Sequence, residues 1–248
     1  MKRRWLSLLS DLGLQLLVLY LVIIIPALGI LLAFDQLAGQ EIQTDVRAND
    51  LSLARAIALE TDLSITKSLQ AVEGLSLYQG VIESNTAQME EIFDIFLQTR
   101  PDVNLIYRLN NQGEMLYHFP VGPGSTVGDD FSFRDYYQSA LLSQTALVSK
   151  GRISPTTNQA VATTVMPIRK DREFLGIVAT NIKLESLSQT LEGIIASRRV
   201  DEDFEIVILD ANAQIIAYPD PEKLLQPADS LLPDIYAPLL AGKSGTRI

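Results

Sequence analysis

Residues 12–34 read LGLQLLVLYLVIIIPALGILLAF, 23 positions interrupted by a single amide, Gln15, and by no charge. As a helix rising about 1.5 Å per residue the run is about 35 Å long, enough to cross a hydrocarbon layer of about 30 Å. Pro26 sits mid-span, where a membrane helix tolerates it better than a soluble one. A secretory leader has a shorter apolar region followed by a small-residue cleavage site, and a buried core helix would carry a polar face. The pattern therefore predicts a membrane anchor. Lys2, Arg3 and Arg4 precede it, and Asp35, Glu41 and Asp45 follow it. Positive flanks stay in the cytoplasm, which places residues 1–11 inside and 35–248 outside the cell membrane.

Beyond the anchor, residues 40–98 are rich in Ala, Leu, Glu and Gln and poor in turn formers. Ile65, Leu69 and Val72, then Met89, Ile92, Phe93 and Phe96, recur at helical spacing. Gly74 and Gly80 are the expected points of division. Residues 35–102 read as a helical stalk, suited to a homodimer seam with the membrane helix or to packing on its own domain. From Val103 the period changes. Apolar runs at 105–109 and 115–119 flank Asn110-Asn111-Gln112-Gly113, and runs at 160–168 and 175–182 flank the polar turn 169–172, so two hairpins are predicted. A short helix is expected within 132–142, a strand at 146–149 and a helix over 183–197.

The chain also repeats itself. Ile106–Asn110 aligns with Ile206–Asp210 at an offset of 100 residues, Gly113 with Ala213, Leu116 with Ile216, and Phe119-Pro120 with Tyr218-Pro219 after a one-residue shift. The ordered series predicts two related modules: one over 103–200, and the start of another over 201–248, which lacks its second strand pair and is expected to be truncated. The predicted class is α+β with antiparallel sheets.

Charge then narrows the chemistry. The 248 residues hold 20 Lys+Arg and 30 Asp+Glu, net −10. Residues 1–34 contribute +2, so residues 35–248 carry −12. Such a domain is a poor partner for nucleic acid. With no cysteine and one histidine, thiol catalysis, thiolate metal sites and multi-histidine metal centres are excluded. No Gly-x-Ser-x-Gly elbow is present, and His118 falls in a strand pattern where an exposed or structural role is expected. The Gly122–Gly128 run lacks the Lys and Ser/Thr of a phosphate loop and reads as a connection. No catalytic residue, metal or cofactor is expected. A membrane-tethered enzyme and an anchored adhesion module without a small ligand are the competitors to ligand sensing.

The segments Asp130-Phe131-Ser132-Phe133-Arg134-Asp135-Tyr136-Tyr137, Val165–Ile168, Leu175–Ile182, Leu209–Pro221 and Gly242–Thr246 resemble the double Cache family of extracytoplasmic sensor domains. The resemblance implies two PAS-like modules behind a membrane helix. It also implies an input role for a histidine kinase, diguanylate cyclase or chemoreceptor, with ligand in the membrane-distal module, here the first. Amino-acid-binding members are similar in carrying an Arg, one intervening residue, an aromatic and a Tyr, matched by Arg134, Tyr136 and Tyr137. Where they hold the ligand amine with an Asp on the last strand, this chain has Asn181, and Asp129 replaces an aromatic five residues before the Arg. The resemblance thus assigns Arg134, Tyr136, Tyr137, Asn181 and Asp129 to the ligand site. It points to a carboxylate without an amine or to a neutral polar ligand. The competing readings are ion pairing of Arg134 with Asp129, Asp130 or Asp135, and plain helix packing for the two tyrosines.

Overall fold

The computed structural model describes residues 12–197, 206–210, 212–231 and 233. Contacts divide the chain into two units. The described part of the first is the N-terminal stretch of helix α1 (Leu12–Ser76), up to Ala56. Within it Gln15–Phe34 is the one segment among the described residues long and apolar enough to cross a membrane, and none of it is buried. Its apolar side chains thus face outward on every side, as a lipid-facing span requires.

The second unit is Ile57–Gly245. Here α1 ends at Ser76, between the two glycines expected to divide the helical stretch. A short α2 (Gln79–Ile82) and α3 (Thr86–Thr99) follow. The Asn85 side chain caps α3 by accepting from the Gln88 amide at 3.2 Å, which satisfies one of the free N–H groups of the first turn. Gly80 allows the close approach of α2 to α3, since a Cβ there would lie 2.4 Å from Gln88 Cβ. The last third of the expected stalk therefore does not continue as one rod. It folds onto the sheet, because Met89 and Phe93 need an apolar partner.

The sheet comprises β1 (Val103–Leu109), β2 (Met115–Phe119), β3 (Leu147–Val148), β4 (Arg152–Ile153), β5 (Ala160–Lys170) and β6 (Glu173–Lys183). Its order is β2-β1-β6-β5-β3, with β4 also on β5, and every pairing is antiparallel. Both predicted hairpins form. The second closes more tightly than expected, at Asp171-Arg172, whose positive φ values of 50° and 74° match the strand twist. Helix α4 (Asp135–Leu142) precedes β3, and α5 (Leu184–Ser197) follows β6.

Alternation along the strands divides the core in two. Leu105, Tyr107, Leu109, Val165, Ile177 and Ala179 pack with Tyr136, Tyr137 and Ala140 of α4. Ile106, Ile168 and Val178 point the other way and pack with Val72, Leu75, Val81, Met89 and Phe93. One face of the sheet thus carries helices α1–α3, and the opposite face carries α4 and the loops.

The internal repeat is visible in the hydrogen bonds. In the first hairpin Leu109 pairs with Met115; in β7 (Ile208–Leu209) and β8 (Ile215–Ala217) Leu209 pairs with Ile215. Asn110 Oδ1 accepts from the amides of residues 112 and 114, and Asp210 Oδ1 does the same from residues 212 and 214. Gly113 and Ala213 both have positive φ. The expected boundary near 201 and the residues after 233 lie outside the described residues.

Candidate functional site

On the α4 face of the sheet a cleft of about 260 Å³ is lined by Phe133, Arg134, Asp135, Tyr136, Ser149, Lys150, Gly151 and Arg152. Arg134 is the N-cap residue of α4, with extended backbone (φ −72°, ψ 136°). Its guanidinium stacks on the exposed Phe133 ring, 4.9 Å from the centroid. Its Nε is buried with no hydrogen-bond partner, and among the described residues it forms no ion pair. Asp129, Asp130 and Asp135 therefore do not neutralise it. Asp135 lies 4.0 Å from Lys150 in an exposed, weak pair.

Tyr136 forms the floor. It is buried, its ring meets Tyr107 edge-on at 6.4 Å, and burial pushes its phenol well above the ordinary range, so it remains a protonated donor. Above it lies Arg152, 5.1 Å from the ring centroid, a cation over an aromatic face. Arg152 Nη2 donates to Thr163 Oγ1 at 2.8 Å, Asn181 Oδ1 at 3.2 Å and Tyr107 OH at 3.4 Å. Asn181 is fully buried. Its Oδ1 also accepts from Thr163 Oγ1 at 2.8 Å, and its Nδ2 donates to Ser154 Oγ at 3.2 Å.

Of the five residues expected at the site, the cleft wall gathers Arg134 and Tyr136. Asn181 lies underneath, behind Arg152. Tyr137 is turned from the cleft, with its ring against Phe174 and its hydroxyl donating to the Asn110 carbonyl at 3.2 Å. Asp129 is exposed on the loop beside β2, where its carbonyl accepts from the Met115 amide at 3.0 Å. Sequence reasoning missed Arg152, Tyr107, Thr163 and Ser154. The available signal was Lys150-Gly151-Arg152, two cations in a strongly acidic domain.

His118 is structural and buried, not exposed. Its Nδ1 lies 3.1 Å from the Pro120 carbonyl and must donate; Nε2 accepts from the Thr126 amide at 3.3 Å and from Ser125 Oγ at 3.0 Å. The neutral ring thus clips the Gly122–Gly128 connection to β2. Burial holds its pKa below the ordinary 6.5, opposed by the Pro120 bond. Between that lowered value and 6.5 the unfolded chain binds more protons than the folded one. Stability therefore rises with pH across this window and is lost as pH falls through it. In urea melts at pH 5 and 7.5, His118→Gln is expected to lose less stability on acidification than the wild type. Equal losses would remove the ring from the account.

An antiparallel sheet with helices on one face and a polar cleft on the other is a PAS-like sensor architecture. Residues 33–247 match the Cache domain family in its double-Cache form, and the chain belongs to that family. Comparison with curated proteins finds no match. Solved structures share the fold. The ligand-binding domain of the Pseudomonas fluorescens chemoreceptor CtaA, in complex with L-serine, is 16% identical with a TM-score of 0.63, over 77% of this chain and 80% of that one. That of the Pseudomonas aeruginosa amino acid chemoreceptor PctC, in complex with GABA, is 20% identical with a TM-score of 0.59, over 76% and 83%. That of the Campylobacter jejuni chemoreceptor Tlp3, in complex with 4-methylisoleucine, is 18% identical with a TM-score of 0.56, over 71% and 70%.

Proposed function

We propose that this chain is the extracytoplasmic sensing region of a transmembrane receptor and that it binds a small carboxylate-bearing metabolite in the cleft between α4 and β4. The observation that carries this reading is Arg134, a guanidinium with a buried unpartnered Nε and no ion pair among the described residues, placed on the wall of a cleft of metabolite size. A carboxylate supplies two parallel acceptors for such a group. The ligands in the three related structures, an α-amino acid, a γ-amino acid and a branched amino acid, share a carboxylate.

The membrane helix anchors the protein in lipid with its N-terminus in the cytoplasm, and that helix together with the stalk forms the seam of a homodimer. Ligand sends a signal only if it prefers one of two conformations. The loop Ser149–Gly151 supports a route for that preference. It walls the cleft on one side, while a Cβ at Gly151 would lie 2.7 Å from Leu225 and 3.5 Å from Ile216 of the second hairpin region. Movement of this loop on ligand would press directly on the second module.

The test is calorimetry on the full chain in detergent micelles with a panel of small carboxylates. Arg134→Ala is expected to weaken the best of them about 10- to 100-fold, the value of a charge-assisted bidentate contact. Unchanged affinity in that variant would refute the site.

A further inference from the structure

Resting on the carboxylate reading above, we infer that the ligand carries two anionic groups and that Arg152 is the residue that selects for the second. Arg134 enters the cleft from the N-terminus of α4, and Arg152 enters it from β4, on a different wall. Each guanidinium has a buried Nε without a partner. The partners Arg152 does have, Thr163, Asn181, Tyr107 and, at 3.5 Å, the Ile153 carbonyl, are neutral oxygens. They fix the plane of the guanidinium and leave its charge uncompensated.

The surroundings amplify that charge. Lys150 adds a third cation, and the one carboxylate on the wall, Asp135, is largely exposed and sits beside Lys150. Three cations against one anion in a wall of eight residues run counter to a domain whose net charge is −12. Like charges gathered in a cleft repel one another, and a dianion lying between them relieves the repulsion.

The same arrangement disfavours an ammonium group. Asn181 has both ends of its amide engaged, by Arg152 and Thr163 on one side and Ser154 on the other. A ligand amine near β4 would therefore meet a guanidinium and find no free acceptor on Asn181. Asn181 is a positioning residue for Arg152. The volume of about 260 Å³ is below that of typical drug-sized pockets and suits a compact metabolite. The ligand class this selects is a short α,ω-dicarboxylate.

The experiment is calorimetry at pH 7.5 on the full chain in detergent micelles. The probes are C3 to C5 dicarboxylates, monocarboxylates of equal length, the monomethyl esters of the dicarboxylates, and 2-aminobutanoate. The best dicarboxylate is expected to bind at least about tenfold tighter than both its monocarboxylate and its monoester, and 2-aminobutanoate weaker than butanoate. Arg152→Gln should bring the dicarboxylate-to-monocarboxylate ratio close to one, whereas Arg134→Gln should weaken both. The ester comparison needs only the wild-type chain and decides the matter even if Arg152→Gln does not fold. Equal binding of dicarboxylate and monoester, or a ratio unmoved in folded Arg152→Gln, overturns the dianion assignment while leaving the carboxylate site standing. Failure of every carboxylate to bind the wild type overturns both.

Discussion

Gly176→Ala is expected to lower the melting temperature of the domain by more than about 10 °C or to prevent folding. Gly176 has φ of +114°, a backbone conformation that L side chains rarely adopt. A Cβ placed there would lie 2.1 Å from the Leu109 carbonyl oxygen, 2.6 Å from the Asn110 carbonyl carbon and 2.5 Å from Arg108 Nη1. Two of these three obstacles are backbone atoms of β1 or of the turn that follows it. They cannot withdraw without parting β6 from β1 at the Leu109–Ile177 pair. Strain and steric overlap at one buried position belong to the small class of substitutions that cost more than about 4 kcal/mol. Circular dichroism melts check the result, and a variant melting within a few degrees of wild type would contradict the geometry.

Arg108→Met should cost about 3 kcal/mol or more, a fall in melting temperature of roughly 6–12 °C. Arg108 is almost wholly buried on the helical face of the sheet. Its guanidinium donates to carbonyls only: Nε to Val81 at 3.0 Å, Nη1 to Leu109 and to Ile177 at 3.3 Å, and Nη2 to Leu175 at 2.9 Å. It thereby ties α2 to β6 across β1. Burial lowers its pKa to about 10, which leaves it charged at neutral pH. Methionine replaces the aliphatic stem but not the guanidinium head, and leaves four carbonyls without their shared donor. Lysine should not rescue the loss, because an ammonium cannot reproduce the planar fork. In the Arg108→Met background Gly176→Ala should cost less than in the wild type, since one of its three obstacles is gone. Purely additive losses in that double-mutant cycle would show that the two residues do not share a site.

These two residues show where local reading stops. The period of two along β1 marks position 108 as facing the same side as Ile106, and a sequence pattern there invites an apolar residue. What makes an arginine acceptable is a set of carbonyls from its own neighbour and from two distant places in the chain, brought together by the register of β1 on β6 and by the seating of α2. Gly176 lies inside the strand run 175–182, where the sequence gives it no role. Only the packed sheet shows that it makes room for that guanidinium.

The site divides in the same way. Arg134 and Tyr136 share one cleft wall because a short motif places both at the start of one helix. Tyr137, the next residue, faces a different direction, since successive helical positions lie about 100° apart, and its hydroxyl found the Asn110 carbonyl instead. Asn181 was legible as the polar residue on the last strand, but not as the support of another side chain. Arg152 reaches it across 29 positions because β4 and β6 both pair with β5.

The sequence by itself determined a helix long and apolar enough to cross a membrane, the two hairpins, the duplication at an offset of 100 residues and the acidic character of residues 35–248. Each of these rests on local period, length or composition, which need no knowledge of distant neighbours. Tertiary structure alone decided that α3 folds back on the sheet, that His118 is a buried clip, that Arg108 and Gly176 interlock, and that two guanidinium groups converge on one cleft. Those outcomes depend on strand register and on which buried polar atoms find partners. The chain settles both only when the whole sheet has formed.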